Sequence, residues 1–126
     1  MVQVGLDDSI LSSVKSIMPN STVPQDYTVF DTEIIGYINA ELAVISQLGV
    51  GDPEDVFMIS GSGETWSDFL DNTEEINLVA LYIAIRVKMM FDPPKSQIVM
   101  DKLTNQSEEY AFRIQDAARR HKKKEA

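Results

Sequence analysis

The feature that most limits what this chain can fold into is the segment from Ile76 to Phe91. Ile76, Leu78, Val79, Leu81, Tyr82, Ile83, Ile85, Val87, Met89 and Met90 leave no clean polar face around a helical turn. Such a helix must be covered on several sides, so the rest of the chain has to wrap it. Asn72 and Glu75 stand at the N-cap and N3 positions of a capping box, and Pro93 and Pro94 end the segment. Leu78 to Ile85 is an unbroken apolar run, but it is far shorter than the roughly 20 residues of a membrane span.

Four further segments have helical periodicity. In the first, from about Asp8 to Met18, Ile10, Leu11, Val14, Ile17 and Met18 form one stripe, Asp7 is the expected N-cap, and Leu6 and Leu11 are spaced as a hydrophobic staple. Asn20 to Thr28 reads as a polar loop. Next come Ile34, Ile38, Leu42, Ile45 and Leu48, with Asp31 as expected cap, Phe30 and Ile35 as staple, and Gly49 where a left-handed C′ residue is wanted. Thr65 to Leu70 is a short helix contributing Trp66, Phe69 and Leu70. A final helix begins between Asp92 and Ser96 and carries Val99, Leu103, Tyr110 and Ile114 on one side. Beyond Ala118 the chain turns basic and is expected to project or fray.

The fold class that follows is all-α, a small bundle of four to five helices with a long irregular loop before the third helix and a projecting C-terminal tail. With 126 residues the chain fits one domain, 1–126, with a helical body over about 7–118 and a basic tail over 119–126. The core is expected to gather Trp66, Phe69, Leu81, Ile85 and Phe91, with Ile38, Leu42 and Leu103 packed on them. Within the loop from Gly49 to Gly63, the apolar run Val56, Phe57, Met58, Ile59 is expected to be exposed and to meet a partner or a neighbouring subunit.

Charge narrows the function. The chain is −9 overall, but its last eight residues are +4, which leaves the body at −13. An acidic body repels nucleic-acid phosphates, while Arg119, Arg120, Lys122, Lys123 and Lys124 can attract either DNA or an acidic protein surface. No secretory segment opens the sequence, so export is not expected.

Catalytic chemistry finds little to work with. His121 is the single histidine and lies in the basic tail, and cysteine is absent, which removes thiol catalysis and the usual zinc sites. Gly61, Ser62 and Gly63 are followed by Glu64 where a phosphate loop needs lysine, so a plain turn is expected. The carboxylates Asp52, Glu54, Asp55, Asp68, Asp71, Glu74 and Glu75 lack calcium-loop spacing and read as caps and solvated surface. Met89 and Met90 read as core. The expectation is a non-enzyme with no catalytic residue, no metal and no cofactor.

Several pieces in order resemble the head–tail connector (adaptor, or head-completion) family of long-tailed bacteriophages. They are the N-terminal Asp-Ser-Ile-Leu-Ser-Ser-Val-Lys helix; the helix from Phe30 to Gly51 with Ile38 and Asn39 inside and Gln-Leu-Gly-Val-Gly at its end; Thr65-Trp-Ser-Asp-Phe-Leu; the apolar helix closing on Phe91-Asp-Pro-Pro; and Glu108, Glu109 and Tyr110 leading to Arg113 and Ile114. One departure is Tyr110, Ala111 and Phe112 where the family tends to carry a large aromatic, often tryptophan, before the final arginine. The resemblance implies a dodecameric homo-oligomeric ring under the portal protein. It would extend the DNA channel and offer a docking surface to the next head-completion or tail protein. Duplex DNA would pass through the lumen without specific binding, and no membrane is involved. It places the protein in the virion at the capsid–tail junction, assembled in the host bacterial cytoplasm. The long loop would face the lumen or the tail side. The C-terminal segment, with Arg113, Arg119, Arg120, Lys122, Lys123 and Lys124 as partner interface, would reach the portal.

Two other readings stand beside it. A small DNA-binding or packaging-regulatory protein would use the basic tail on duplex, with salt-dependent affinity. A hydrolase built on clustered acids would need a pocket holding two perturbed carboxylates.

Overall fold

A computed structural model describes residues 4–18, 28–51, 54–70 and 73–125; the side chains of 73, 74 and 121–125 are not described. Its elements in chain order are α1 (Ile10–Ile17), α2 (Asp31–Gln47), α3 (Trp66–Phe69), α4 (Thr73–Phe91) and α5 (Gln97–Glu125), with no strand among the described residues. The all-α expectation holds.

The apolar helix is central. α4 packs against α1, α2 and α5, and α5 covers it most extensively. Ile76, Val79, Ile83 and Val87 are almost fully buried on one face of α4, against Ile10 and Val14 of α1 and the stripe Ile34, Ile38, Leu42 and Ile45 of α2. Leu81 departs from expectation. It is only half-buried, on the side of α4 away from Ile83, where Ile85 one turn later is covered and Leu81 is not. Ile85 is buried, as is Leu103, but neither belongs to the main cluster; Phe69 and Phe91 flank that cluster half-buried, and Met89 and Met90 are also half-buried.

Both N-terminal caps differ from the sequence reading. Ser9, not Asp7, caps α1, accepting from Ser12 N at 3.2 Å. Residues 6–10 are drawn into pairing with 64–67 instead: Ile10 N donates to Glu64 O, Trp66 N to Asp8 O, and Ser67 N to Leu6 O at 2.8 Å. A bridge joins Ser9 and Thr65. Leu6 is therefore held by α3 rather than placed as a staple. At α2 the N-cap position is Phe30, whose ring meets Phe91 edge-on at 5.3 Å, and Asp31 is the first helical residue. The Asp31 carboxylate goes to the buried Lys15 ammonium at 2.9 Å, an ion pair that ties α1 to α2. The expected Asn72 cap and most of the Asn20 to Thr28 loop lie outside the described residues.

Gly49 has φ 106° directly after the C-cap Leu48, the left-handed conformation expected there. α3 opens with a reciprocal capping box between Thr65 and Asp68. Of the two expectations for the end of the chain, projecting or fraying, the backbone stays helical to Glu125. At 1.5 Å per residue α5 runs for about 43 Å against about 28 Å for α4. Among the described side chains of α5 the last buried are Ile114 and Ala118, and the helical backbone continues beyond them to Glu125.

Candidate functional site

The segment after α2 is irregular but firmly anchored. Asn39, on α2, reaches across to Ile59: its amide nitrogen donates to Ile59 O at 3.0 Å, and its amide oxygen accepts from Ile59 N at 2.8 Å. This mimics one rung of a β-ladder and satisfies a backbone position that has no strand to pair with. Ile59 is consequently buried in the core, and Phe57 packs on Phe69 with ring centroids 5.5 Å apart. Of the run Val56 to Ile59, only Met58 is openly exposed, at 64%. The expectation of an exposed apolar run is corrected to a single exposed side chain over a pinned loop, because the side-chain amide of Asn39 pulls the alternate position inward.

The turn at Gly61 to Gly63 is closed by Glu64. Its carboxylate accepts from Ser60 N at 2.7 Å, Ser60 Oγ at 2.9 Å and Gly61 N at 3.3 Å. The Ser60 hydroxyl first, then the Ser60 amide, hold that carboxylate below its ordinary range. Amides that would cradle a phosphate are thus already given to a carboxylate. Asp68 accepts from Thr65 N at 2.9 Å, the capping role expected of it.

Beside this loop lies an open groove of about 380 Å³, lined by Gly51, Asp55, Val56, Phe57, Met58, Asp68 and Phe69. Gly51, at φ 82°, turns the chain where a Cβ would stand 3.3 Å from the Phe69 ring. The groove therefore has an aromatic floor and two carboxylates. That chemistry holds an apolar group carrying a cation and repels anions.

The second candidate surface is the outer side of α5. Arg113, Arg119 and Arg120 are exposed, each paired within its own helix: Arg113 to Glu109 at 2.6 Å, and Arg119 and Arg120 to Asp116 at 3.8 and 3.3 Å. Exposed pairs of this kind contribute little and are readily exchanged. The side chains of His121, Lys122, Lys123 and Lys124 lie outside the described residues. No described α5 residue lines the groove, so the two surfaces are separate.

A polar cluster inside the fold is structural in character. Arg86 Nε of α4 stands 3.5 Å from Glu41 Oε1 of α2, with no hydrogen bond made by either atom. Burial first, then the Glu41 charge and a hydrogen bond to it, pushes the Tyr82 hydroxyl up to about 12. A folded value above the unfolded one stabilises the native state below pH 10, and that contribution is lost as pH rises from about 10 through 12. Spectrophotometric titration should show one tyrosine ionising near pH 12, coincident with alkaline loss of structure. Glu41→Gln should move that step back toward 10. A Tyr82 step that stays at 10 in the wild-type protein contradicts this packing.

Among the described residues no group of three or more His, Cys, Asp or Glu could hold a metal ion, and no helix is long and apolar enough to cross a membrane. A family model described as phage connector protein matches residues 10–121, from the first residue of α1 to beyond the last buried turn of α5. Comparison with curated proteins and with solved structures finds no match.

Proposed function

Because the chain belongs to the phage connector protein family, we propose that copies of it close into a dodecameric ring between the portal and the tail, extending the DNA channel. A phage connector is a structural component of the virion and not an enzyme. The observation that carries the reading is the extent of the match, which takes in α1 to α4 whole and α5 as far as residue 121. The molecule supports it with two surfaces of opposite chemistry, the acidic aromatic groove and the basic helical end.

In this reading the basic end, Arg119 to Lys124 with Arg113 nearby, docks on an acidic portal surface, and the loop around Met58 meets a neighbouring subunit or the next head-completion or tail protein. The acidic body lines a conduit through which duplex passes without adhering, since like charges repel. The ring is assembled in the host bacterial cytoplasm and ends at the capsid–tail junction.

Electron microscopy of the purified protein mixed with its portal should show a closed ring seated on the portal. Truncation after Ala118 should leave the fold intact, weaken portal binding, and reduce the salt sensitivity of that binding, because exposed charges steer and hold such contacts. A truncated form that binds portal normally but has lost a measurable affinity for free duplex would instead make the basic end a DNA arm. No ring and no portal complex under any condition would overturn the connector role.

A further inference from the structure

We propose that the groove beside the loop receives the outer face of α5 from a second copy of this chain. Phe112 would seat against Phe57 and Met58, and Arg119 would lie on Asp55 and Asp68. The proposal rests on the ring reading above and specifies how neighbouring subunits meet.

The groove sets the ligand's chemistry: apolar contact on an aromatic floor, with positive charge at the two carboxylates. The outer face of α5 offers that combination. Phe112 is 63% exposed and Arg119 side chain 66% exposed. Seven residues separate them, which brings both to nearly the same angle on the helix, about 10 Å apart along it. They form one stripe on the side opposite Leu103, Ile114 and Ala118, the residues that face the fold. Among the described residues Arg119 is paired with Asp116 at 3.8 Å, a contact that exchange for a groove carboxylate would replace.

Charge complementarity identifies the occupant. The acidic body and cationic end of one molecule attract the opposite ends of the next, which favours head-to-tail contact. Such a contact uses two different patches, and successive copies then close into a ring if the rotation permits. Arg119, counted above with the basic end, is taken here by the neighbouring subunit's groove, while Arg120, turned about 100° from it on the helix, stays available to the portal.

The natural absence of cysteine makes the test direct. Met58→Cys and Phe112→Cys are each placed at an exposed position, then mixed in equal amounts and oxidised. A disulfide-linked dimer in the mixture, and not in either variant alone, is the expected result. Asp55→Lys and Arg119→Glu should each weaken self-association in sedimentation by about tenfold, and the two combined should restore it. Unchanged thermal unfolding would show that the folds are intact. Rings that form with no mixed disulfide and no effect of either charge reversal overturn this contact while leaving the ring itself standing. Loss of a downstream protein by Asp55→Lys with self-association untouched also overturns it, and assigns the groove to that protein. A wild-type chain that stays monomeric, alone and on portal, removes the ring and this contact together.

Discussion

Replacing Trp66 by alanine should destabilise the protein by about 3–5 kcal/mol, the largest loss expected from a single substitution here. Trp66 is the single tryptophan, fully buried although it opens a helix of only four residues. Its indole Nε1 donates to the buried Ser13 Oγ of α1 at 3.1 Å, and its backbone amide donates to Asp8 O. One residue thus carries both the apolar fill and the polar stitch between the start of α1 and α3. Trp66→Phe separates the two: it keeps most of the fill and leaves the Ser13 hydroxyl without its donor, at a cost of roughly 1–3 kcal/mol. Chemical denaturation followed by circular dichroism measures both. A loss below about 1 kcal/mol for the alanine variant would mean the site collapses freely and that α3 is not a structural anchor.

Asn39→Ala should cost about 2–4 kcal/mol, because it strips both the N–H and the C=O of buried Ile59 of their partners. The functional consequence is more specific than the stability loss. With Ile59 released, Phe57 loses its fixed approach to Phe69 and the groove loses its floor, so self-association should fall even at temperatures where the chain remains folded. Asn39→Asp is the informative companion. A carboxylate can still accept from Ile59 N but repels Ile59 O, so it should recover only part of the loss. Equal stability and association of wild-type and Asn39→Ala protein would show that the loop is held by its apolar contacts alone.

The groove itself was not legible in the linear order of residues. Its lining comes from two places, Gly51 with Asp55 to Met58, and Asp68 with Phe69, brought together by the Phe57–Phe69 contact and by the Asn39 clamp. Asn39 sits on α2 between apolar stripe positions, and in the sequence it stands out only as one piece of the family resemblance, with no role attached. A signal was present in hindsight: it falls one position after the buried Ile38, where a short amide side chain can reach a neighbouring segment. The cationic end was legible as charge, but not as helix. The absence of apolar partners left projection or fraying open beyond Ala118, whereas the backbone stays helical to Glu125.

The elements themselves were determined by the sequence alone. Periodicity marks which faces of α1, α2 and α5 are apolar, the all-round apolar composition of α4 makes it the centre, and Gly49 stops α2 where its left-handed conformation is needed. These are local properties, dictated by side chains within a few turns of one another. Caps and partners were decided only by the tertiary structure. Asp7 and Asp31 are both competent N-caps, yet Ser9 takes the first role because residues 6–10 pair with 64–67, and Asp31 goes to Lys15 because a buried ammonium requires a counter-charge. Leu81 and Ile59 exchange their expected places for the same reason. Both are hydrophobic, and which of them is buried depends on the rotation of α4 and on one amide of α2, which no count along the chain contains.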